Sequence, residues 1–511
     1  MNQLSDYSKI VVSITTNEAL LIVHLILHTS NLRRNADWLP TAAFCRGRMQ
    51  PKNGKQAGRR LAAEFIRRWT IIFPAPRKAK FGNFGSNVEL PDFRQPYWHP
   101  LCIDRNVHSD TRESVSPRDA MAKKTIRDLQ ISGKRLLVRV DFNVVLRHDG
   151  NIATDRRIRA ALPTIRYCLE RDASLILMTH LGRPRGRRNP KLGLQGVAHR
   201  LQEFLRGANV ELVEVDAPRK AGRREPSDVV LLENLRFDPG EESGDEQFAH
   251  RLRQWGDIYV NDVFTACQRT PASLFAVPKL FPHGSRVIGL LVEKELRALD
   301  SLLESPRQPM VAILGGARAA DKIGVIPTLL HCAQKLLIGG ALAFTFMKAR
   351  GLGTGLSRID DDRLDLARRL IDRAGDKLVL PQDHVVARRL EAPAETRIVE
   401  KEIPDGWYGL DIGPKTIERY TAAIRGAATV LWNGPLGKFE DELFRQGTES
   451  IVRALAENDA ITIVGGGESE AAVEQFGLVE RIDHVSTGGG AFLEYLKQGT
   501  LPALTLIDEW Y

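Results

Sequence analysis

The sequence predicts an α/β protein of two doubly wound domains whose parallel sheets face each other across a cleft. Three observations point there. Short apolar runs bounded by turn residues recur over 135–492, separated by helix-length stretches, as expected of parallel strands buried on both faces. The runs of the first half end beside arginines, whereas those of the second end in glycines. Between the two series, 290–305 has helical spacing and is followed by Pro-Arg-Gln-Pro, a helix and then a breaker.

Residues 1–120 lack this alternation and are broken by Pro, Gly and basic pairs such as Arg59-Arg60 and Arg67-Arg68. Their longest apolar run, ALLIVHLIL (19–27), is about half the length a membrane span needs. Asp6 and Glu18 fit neither the basic start of a secretory signal nor an acid-poor transit peptide. Met121 then opens a stretch that reads as a protein's own start, so 1–120 is expected to be an irregular basic extension, dispensable or a mis-called start. The formal net charge of +10 is concentrated there: 18 Lys+Arg face 10 Asp+Glu, leaving 55 against 53 in 121–511. With that near-neutral remainder, and no aromatics interleaved with its basic residues, neither a nucleic-acid nor a membrane partner is expected. Five widely spaced cysteines suggest no disulfide framework or zinc cluster and fit a reducing cytoplasm. Cys168 and Cys332 read as small apolar residues.

Within 121–290 the strand-like runs are RLLVRVDFN (135–143), LILMTHLGRP (175–184), VVLLENLRF (229–237) and IYVNDVFTACQR (258–269). A helix is expected over 156–170, with Ile158, Leu162, Ile165 and Leu169 on one face. The bridge at 291–308 places Val292, Leu296, Leu299 and Leu303 on one stripe. A second series over 309–491 contains MVAILGGARAADK (310–322), KLLIGGAL (335–342), TVLWNGPLGKFE (429–440), ITIVGGGES (461–469) and HVSTGGGAF (484–492), and 492–511 is a C-terminal segment.

Open α/β sheets bind ligands at the carboxyl ends of their strands. In the first half Arg183, Arg236 and Arg269 follow such ends and Arg157 stands in a helix's first turn. Several guanidiniums converging on one edge need an anion between them, and their planar forks suit carboxylate and phosphate oxygens. His180 could add a donor; Asp141 and Asn143 could receive substrate hydroxyls or form a turn of their own. In the second half the glycine clusters at 465–467 and 488–490, with Gly315-Gly316 and Gly339-Gly340, would let backbone amides approach phosphates at helix N-termini. Lys322 and Arg318 follow the first cluster, and Glu468 could hold magnesium or serve as a favourable acid in a helix's first turn. No GxxxxGK[ST] P-loop or protein-kinase motif set is present.

VRVDFN, RIRAALPTI, HLGRP, ENLRF, YVND, EKEL, AILGGA followed by DKIG, LDIGPKT, WNGPLGKFE and STGGGA stand in the order and spacing of the phosphoglycerate kinases, and 121–506 resembles that family. The resemblance implies two Rossmann-like domains joined by a hinge helix. It also implies reversible in-line transfer of the acyl phosphate of 1,3-bisphosphoglycerate to MgADP after domain closure, giving 3-phosphoglycerate and ATP, by a cytoplasmic monomer. By motif, the glycerate side would be Asp141, Phe142, Asn143, Arg157, His180, Leu181, Gly182, Arg183, Arg236 and Arg269. The nucleotide side would be Gly315, Lys322, Gly339, Gly340, Gly413, Asn433, Pro435, Glu440, Gly466, Gly467, Glu468 and Ser469, with Glu468 on Mg2+. Catalysis would fall to Arg157, Arg318, Lys322, Gly467 and Gly490.

The chain departs from the family pattern at functional positions. Arg318 replaces a lysine, Glu468 an aspartate, and Cys267-Gln268-Arg269-Thr270-Pro271 keeps the arginine of AHRAH without its histidines. Lys438 precedes Phe439-Glu440 where the family has valine, and 214–228 is short enough to lack a helix. These changes fit either a divergent working kinase or a binding or regulatory protein on the same fold. The kinase is the expectation, because the anion-binding arginines and Lys322 are retained.

Overall fold

Six parallel strands form the first sheet: β1 (Arg135–Val140), β2 (Ser174–Met178), β3 (Asn209–Val213), β4 (Asp228–Leu232), β5 (Ile258–Asp262) and β6 (Arg286–Ile288). Their spatial order is β6-β5-β1-β2-β4-β3. A second sheet of six parallel strands holds β7 (Met310–Leu314), β8 (Lys335–Ile338), β9 (Leu378–Val379), β10 (Thr429–Asn433), β11 (Ile461–Gly465) and β12 (His484–Val485), in the order β9-β8-β7-β10-β11-β12. Every residue of β2, β5, β7 and β10 is buried, which is why those segments read as continuous apolar runs rather than alternating ones. Both sheets are doubly wound, the second with the 3-2-1-4-5-6 order of dinucleotide-binding folds. The order reverses between β1 and β5 in one sheet and between β7 and β10 in the other. Those reversals put the ends of β1 and β5, and of β7 and β10, at the two places where a ligand crevice opens.

The helices that bear on these edges are α1 (Arg156–Leu169), α2 (Leu290–Glu304), α3 (Gly340–Ala349), α4 (Pro414–Arg425), α5 (Gly467–Gln475) and α6 (Gly489–Gln498). In α1 the expected face is buried through Ile158, Leu162 and Ile165, while Cys168 takes the place expected of Leu169. In α2 Val292, Leu296 and Leu299 are buried as expected, but Leu302 rather than Leu303 completes the stripe. Glu293 and Glu295 are buried there too; an apolar count cannot reveal buried charges. One continuous core runs from Leu137 and Tyr259 through Val292, Leu296 and Leu299 to Met310, Ala312 and Leu314, so α2 is a packed wall between the halves.

The chain is a computed structural model that describes residues 9–17, 20–28, 123–217, 228–317, 319–391 and 395–510. It divides into two compact units, Met1–Thr111 and Arg112–Tyr511; both sheets belong to the second. In the first unit Lys9–Asn17 pairs antiparallel with Leu20–His28, so a region expected to be irregular contains a hairpin of two runs rich in β-branched and aliphatic residues. The short segment before β4 lies largely outside the described residues, as does Arg318.

The expected boundary at 491 falls within α6, and the chain then returns to the first half. Asp508 receives the amides of Gly284 and Arg286 and the Arg286 guanidinium at 2.7 Å, and Lys123 and Glu509 form an antiparallel bridge. These bonds hold the edge strand β6. Burial alone would raise the Asp508 pKa, but the Arg286 and Gly284 bonds prevail and lower it.

Candidate active site

At the reversal of the first sheet, Asp141 directly follows β1. Its carboxylate receives Arg157 Nη1 at 2.8 Å, the Thr265 hydroxyl at 2.7 Å and the Asn143 amide at 3.1 Å. Burial pushes Asp141 up, yet the Arg157 charge, the Thr265 hydroxyl and the Asn143 amide outweigh it and hold the carboxyl below its ordinary value. The Asn143 amide on the Asp141 carboxylate is the turn expected of this pair. The Asn143 side-chain oxygen accepts the Gly182 amide at 2.8 Å, fixing the loop after β2, and Gly182 itself has φ +63.

His180 ends that loop's strand side with Nδ1 at 2.9 Å from Arg139 Nη2. A guanidinium only donates, so Nδ1 accepts and Nε2 carries the proton. Burial first, then the charge of Arg139, brings the His180 pKa down to about 2; the ring is neutral at ordinary pH. Arg139, 1% exposed inside an apolar strand, is sustained by the Ser273 hydroxyl at 2.9 Å and Glu241 at 4.0 Å, and Ser273 donates to Glu241 at 2.6 Å. Arg236 donates to the Gly182 carbonyl at 2.7 Å and pairs with Glu242 at 3.2 Å. Burial, aided by Arg139 and Arg269 against Glu242, lowers its pKa. Those two positive neighbours are the signature of cations gathered on one edge.

The remaining expected glycerate residues differ in what they present. Arg183 and Arg269 are exposed, with no side-chain partner among the described residues. The Phe142 ring is fully buried in the core, and its amide donates to Thr179 Oγ1 at 2.9 Å. Leu181 is buried as well, its amide and carbonyl both bonded to Asn234. Those two residues support the loop from within the core.

The second edge is built from backbone. The amide of Gly315 donates to Asn433 O, Gly316 to Pro435 O, Gly339 to Leu314 O and Gly340 to Leu436 O. These four amides are therefore not bare, contrary to the expectation from sequence. The reason is close approach: a Cβ on Gly315 would collide with Pro435 O, and one on Gly340 would stand 2.6 Å from Gly316 N. Glycine serves there to let the turns after β7, β8 and β10 touch. Gly413 has a similar origin, because a Cβ there would run into the Asp383 carboxylate, which also receives the amides of Lys415 and Thr416 at the head of α4.

Two helix ends remain open. Neither α5 nor α6 is capped by a side chain, so their first amides are without intrahelical acceptors. A Cβ on Gly489 would lie 3.6 Å from the Gly467 amide nitrogen, which sets the two ends side by side. Gly466 takes φ +95, and the Nδ2 of the buried Asn433, without a hydrogen-bond partner among the described residues, lies 3.1 Å from where its Cβ would be. Lys322 Nζ donates to Gly315 O at 2.6 Å, and with Glu468 it flanks Gly316. Ser469 uses its hydroxyl to receive the Gly434 amide at 2.6 Å. Glu440 is exposed, and Lys438 donates to Leu390 O at 2.7 Å and pairs with Asp441 at 3.5 Å, which partly offsets its extra charge. No group of three His, Cys, Asp or Glu side chains suited to a metal occurs among the described residues.

The two edges meet. Gln268 lies 3.3 Å from the Cβ position of Gly490, and Phe264 packs against Gly488. Arg156 at the head of α1 pairs with Glu470 of α5 at 2.8 Å and with Glu474. Beneath them Glu295 of α2 takes His484 Nε2 at 2.9 Å and the Thr487 amide and hydroxyl at 2.7 Å. Sequence reasoning missed Arg139, Glu241, Ser273, Thr265, Glu295 and Arg156. Only Arg139 carried a signal, a charge within an apolar strand that must find a partner.

A family model described as phosphoglycerate kinase matches residues 126–499. A phosphoglycerate kinase of Chloroflexus aurantiacus is 50% identical over 401 residues, 76% of this chain and 100% of that one. One of Rubrobacter xylanophilus is 49% identical over 393 residues, 76% of this chain and 99% of that one. The solved phosphoglycerate kinase of Coxiella burnetii superposes with a TM-score of 0.69 at 35% identity, covering 75% of this chain and 98% of its own.

Proposed function

The chain belongs to the phosphoglycerate kinase family, and on that premise we propose that it transfers the acyl phosphate of 1,3-bisphosphoglycerate to ADP, reversibly, by in-line displacement. The observation that carries this is the meeting of a cation-lined edge with two adjacent, uncapped helix ends. Phosphoryl transfer needs positioning and charge stabilisation more than covalent chemistry. In our reading 121–290 takes the glycerate, 291–308 is the hinge and 309–491 takes the nucleotide, inside a cytoplasmic monomer.

On the glycerate side, Arg157, Arg183, Arg236 and Arg269 neutralise the anion and His180 Nε2–H donates to it. Since His180 is neutral, its donation is constant across ordinary pH. On the nucleotide side, the amides at Gly466, Gly467 and Gly490, the Asn433 side chain and Lys322 receive the phosphates. Gly315, Gly339, Gly340, Gly413 and Pro435 shape that pocket through backbone packing. A lone carboxylate, Glu468, beside Lys322 suits Mg2+, which takes one or two carboxylates plus substrate phosphates. Bound there, the ion would neutralise charge on the phosphate oxygens; Arg157 and the Gly467 amide would do so from either side of the transferred group.

The alternative, a binding or regulatory protein on this fold, has less support, since relatives at 45–50% identity carry the kinase name. A coupled assay with 3-phosphoglycerate and MgATP tests the choice. The full chain and its 121–511 fragment should turn over alike. Calorimetric binding of both ligands without turnover would overturn the kinase reading.

A further inference from the structure

Arg156 and Arg157 are consecutive residues at the head of α1, yet they serve different halves of the molecule. Arg157 turns to Asp141 of its own half. Arg156 reaches across to Glu470, at 2.8 Å, and Glu474 on α5. Those glutamates are four residues apart on one helix face, where like charges repel. Burial and Glu474 push the Glu470 pKa up, and Arg156 opposes both. The two acids are therefore accommodated on that face through a cation delivered from the other half. The position of the contact matters more than its strength, because α5 carries the open Gly467 end and α1 carries Arg157, one residue away from the bridge.

We propose that Arg156, Glu470 and Glu474 form an electrostatic latch holding α1 and α5 in register during phosphoryl transfer, which makes Arg156 a positioning residue for Arg157 and for the amides heading α5. The proposal rests on the kinase reading above. The latch lies beside the reacting groups, whereas the Glu295 contacts lie on α2. It aligns the two sets of phosphate-binding groups without touching the phosphate. Since Arg156 is 28% exposed and Glu470 22%, the latch is accessible to salt, and its contribution should shrink as ionic strength rises.

The test uses the full chain with Arg156→Gln, Arg156→Lys and the swap Arg156→Glu with Glu470→Arg. Arg156→Gln should lower kcat about twofold to fivefold, a range set by partly exposed ion pairs, with both KM values within about twofold. Arg156→Lys and the swap should restore most of that loss, and high salt should bring the wild type toward the variant. Hydrogen exchange of the unliganded protein gives a readout independent of turnover: amides heading α1 and α5 should exchange faster in Arg156→Gln. An unchanged kcat, a loss confined to KM, a deficit the swap does not relieve, or unchanged exchange overturns the latch. If the wild type itself does not turn over, the kinase reading fails, and the exchange experiment alone decides the latch.

Discussion

The two halves share one sheet design and build their strand-end edges by opposite means. At the first edge the work falls to side chains: Arg157, His180 and Arg236 stand on a buried scaffold of Arg139, Glu241 and Ser273. At the second edge the backbone itself is the material, with glycine turns packed against one another and two helix ends left open. A side-chain site can lose a group and keep its fold. A backbone site has no such separation, because the atoms that shape the pocket also close the core.

The strongest way to break this contrast is Gly315→Ala. The added Cβ meets Pro435 O and Gly434 O, main-chain atoms that cannot swing aside, so overpacking should cost about 3 kcal/mol. Urea denaturation reads it, with Gly467→Ala as the companion, since a Cβ there meets nothing within 4 Å. Equal stability in the two variants would mean that the packed turns of the second edge are no more constrained than its open helix end, and that backbone packing does not set this edge apart.

Next in size is Arg157→Ala on the first edge. It should lower kcat about a hundredfold, as loss of a charge-stabilising donor does. Stability should fall by only about 1–2 kcal/mol, the cost of leaving a buried acceptor less satisfied, because Thr265 and the Asn143 amide still hold Asp141. Global unfolding of this variant would erase the distinction between the halves.

The smallest effect is in pH dependence. Burial raises Asp262, at the end of β5, to about 7. A carboxyl whose folded pKa exceeds its unfolded value stabilises the fold while protonated, and that contribution is lost as pH rises through 7. The neutral buried His180 and His384 act with the opposite sign, since protons favour their unfolded forms. The difference between wild type and Asp262→Asn isolates the carboxyl. In urea titrations the wild type should lose ground against the variant between about pH 4 and pH 7 and hold level above that; a constant difference across this window would refute the assignment.

The strands were legible because burial on both faces leaves continuous apolar runs, and helices such as 156–170 because their spacing repeats on one face. The neighbouring Arg236 and Arg269 were legible for a related reason: both stand just past such runs. The scaffold behind them was not. Arg139 meets Ser273 134 residues away, a partnership set by the adjacency of β1 and β5, which spacing does not encode. The glycines were legible as close approach, but whether to a phosphate or to another turn depends on which strands are neighbours. Leu302 displaced Leu303 for want of a known partner surface.

The return of residues 501–509 to the first half has a consequence for how the fold can be cut. A break between the halves near 305–309 would not separate them cleanly, because the first would lose the Asp508 carboxylate that holds the Gly284 and Arg286 amides beside β6. Expressed alone, that half would expose an edge that the intact chain closes. The two sheets are complementary pieces rather than interchangeable modules.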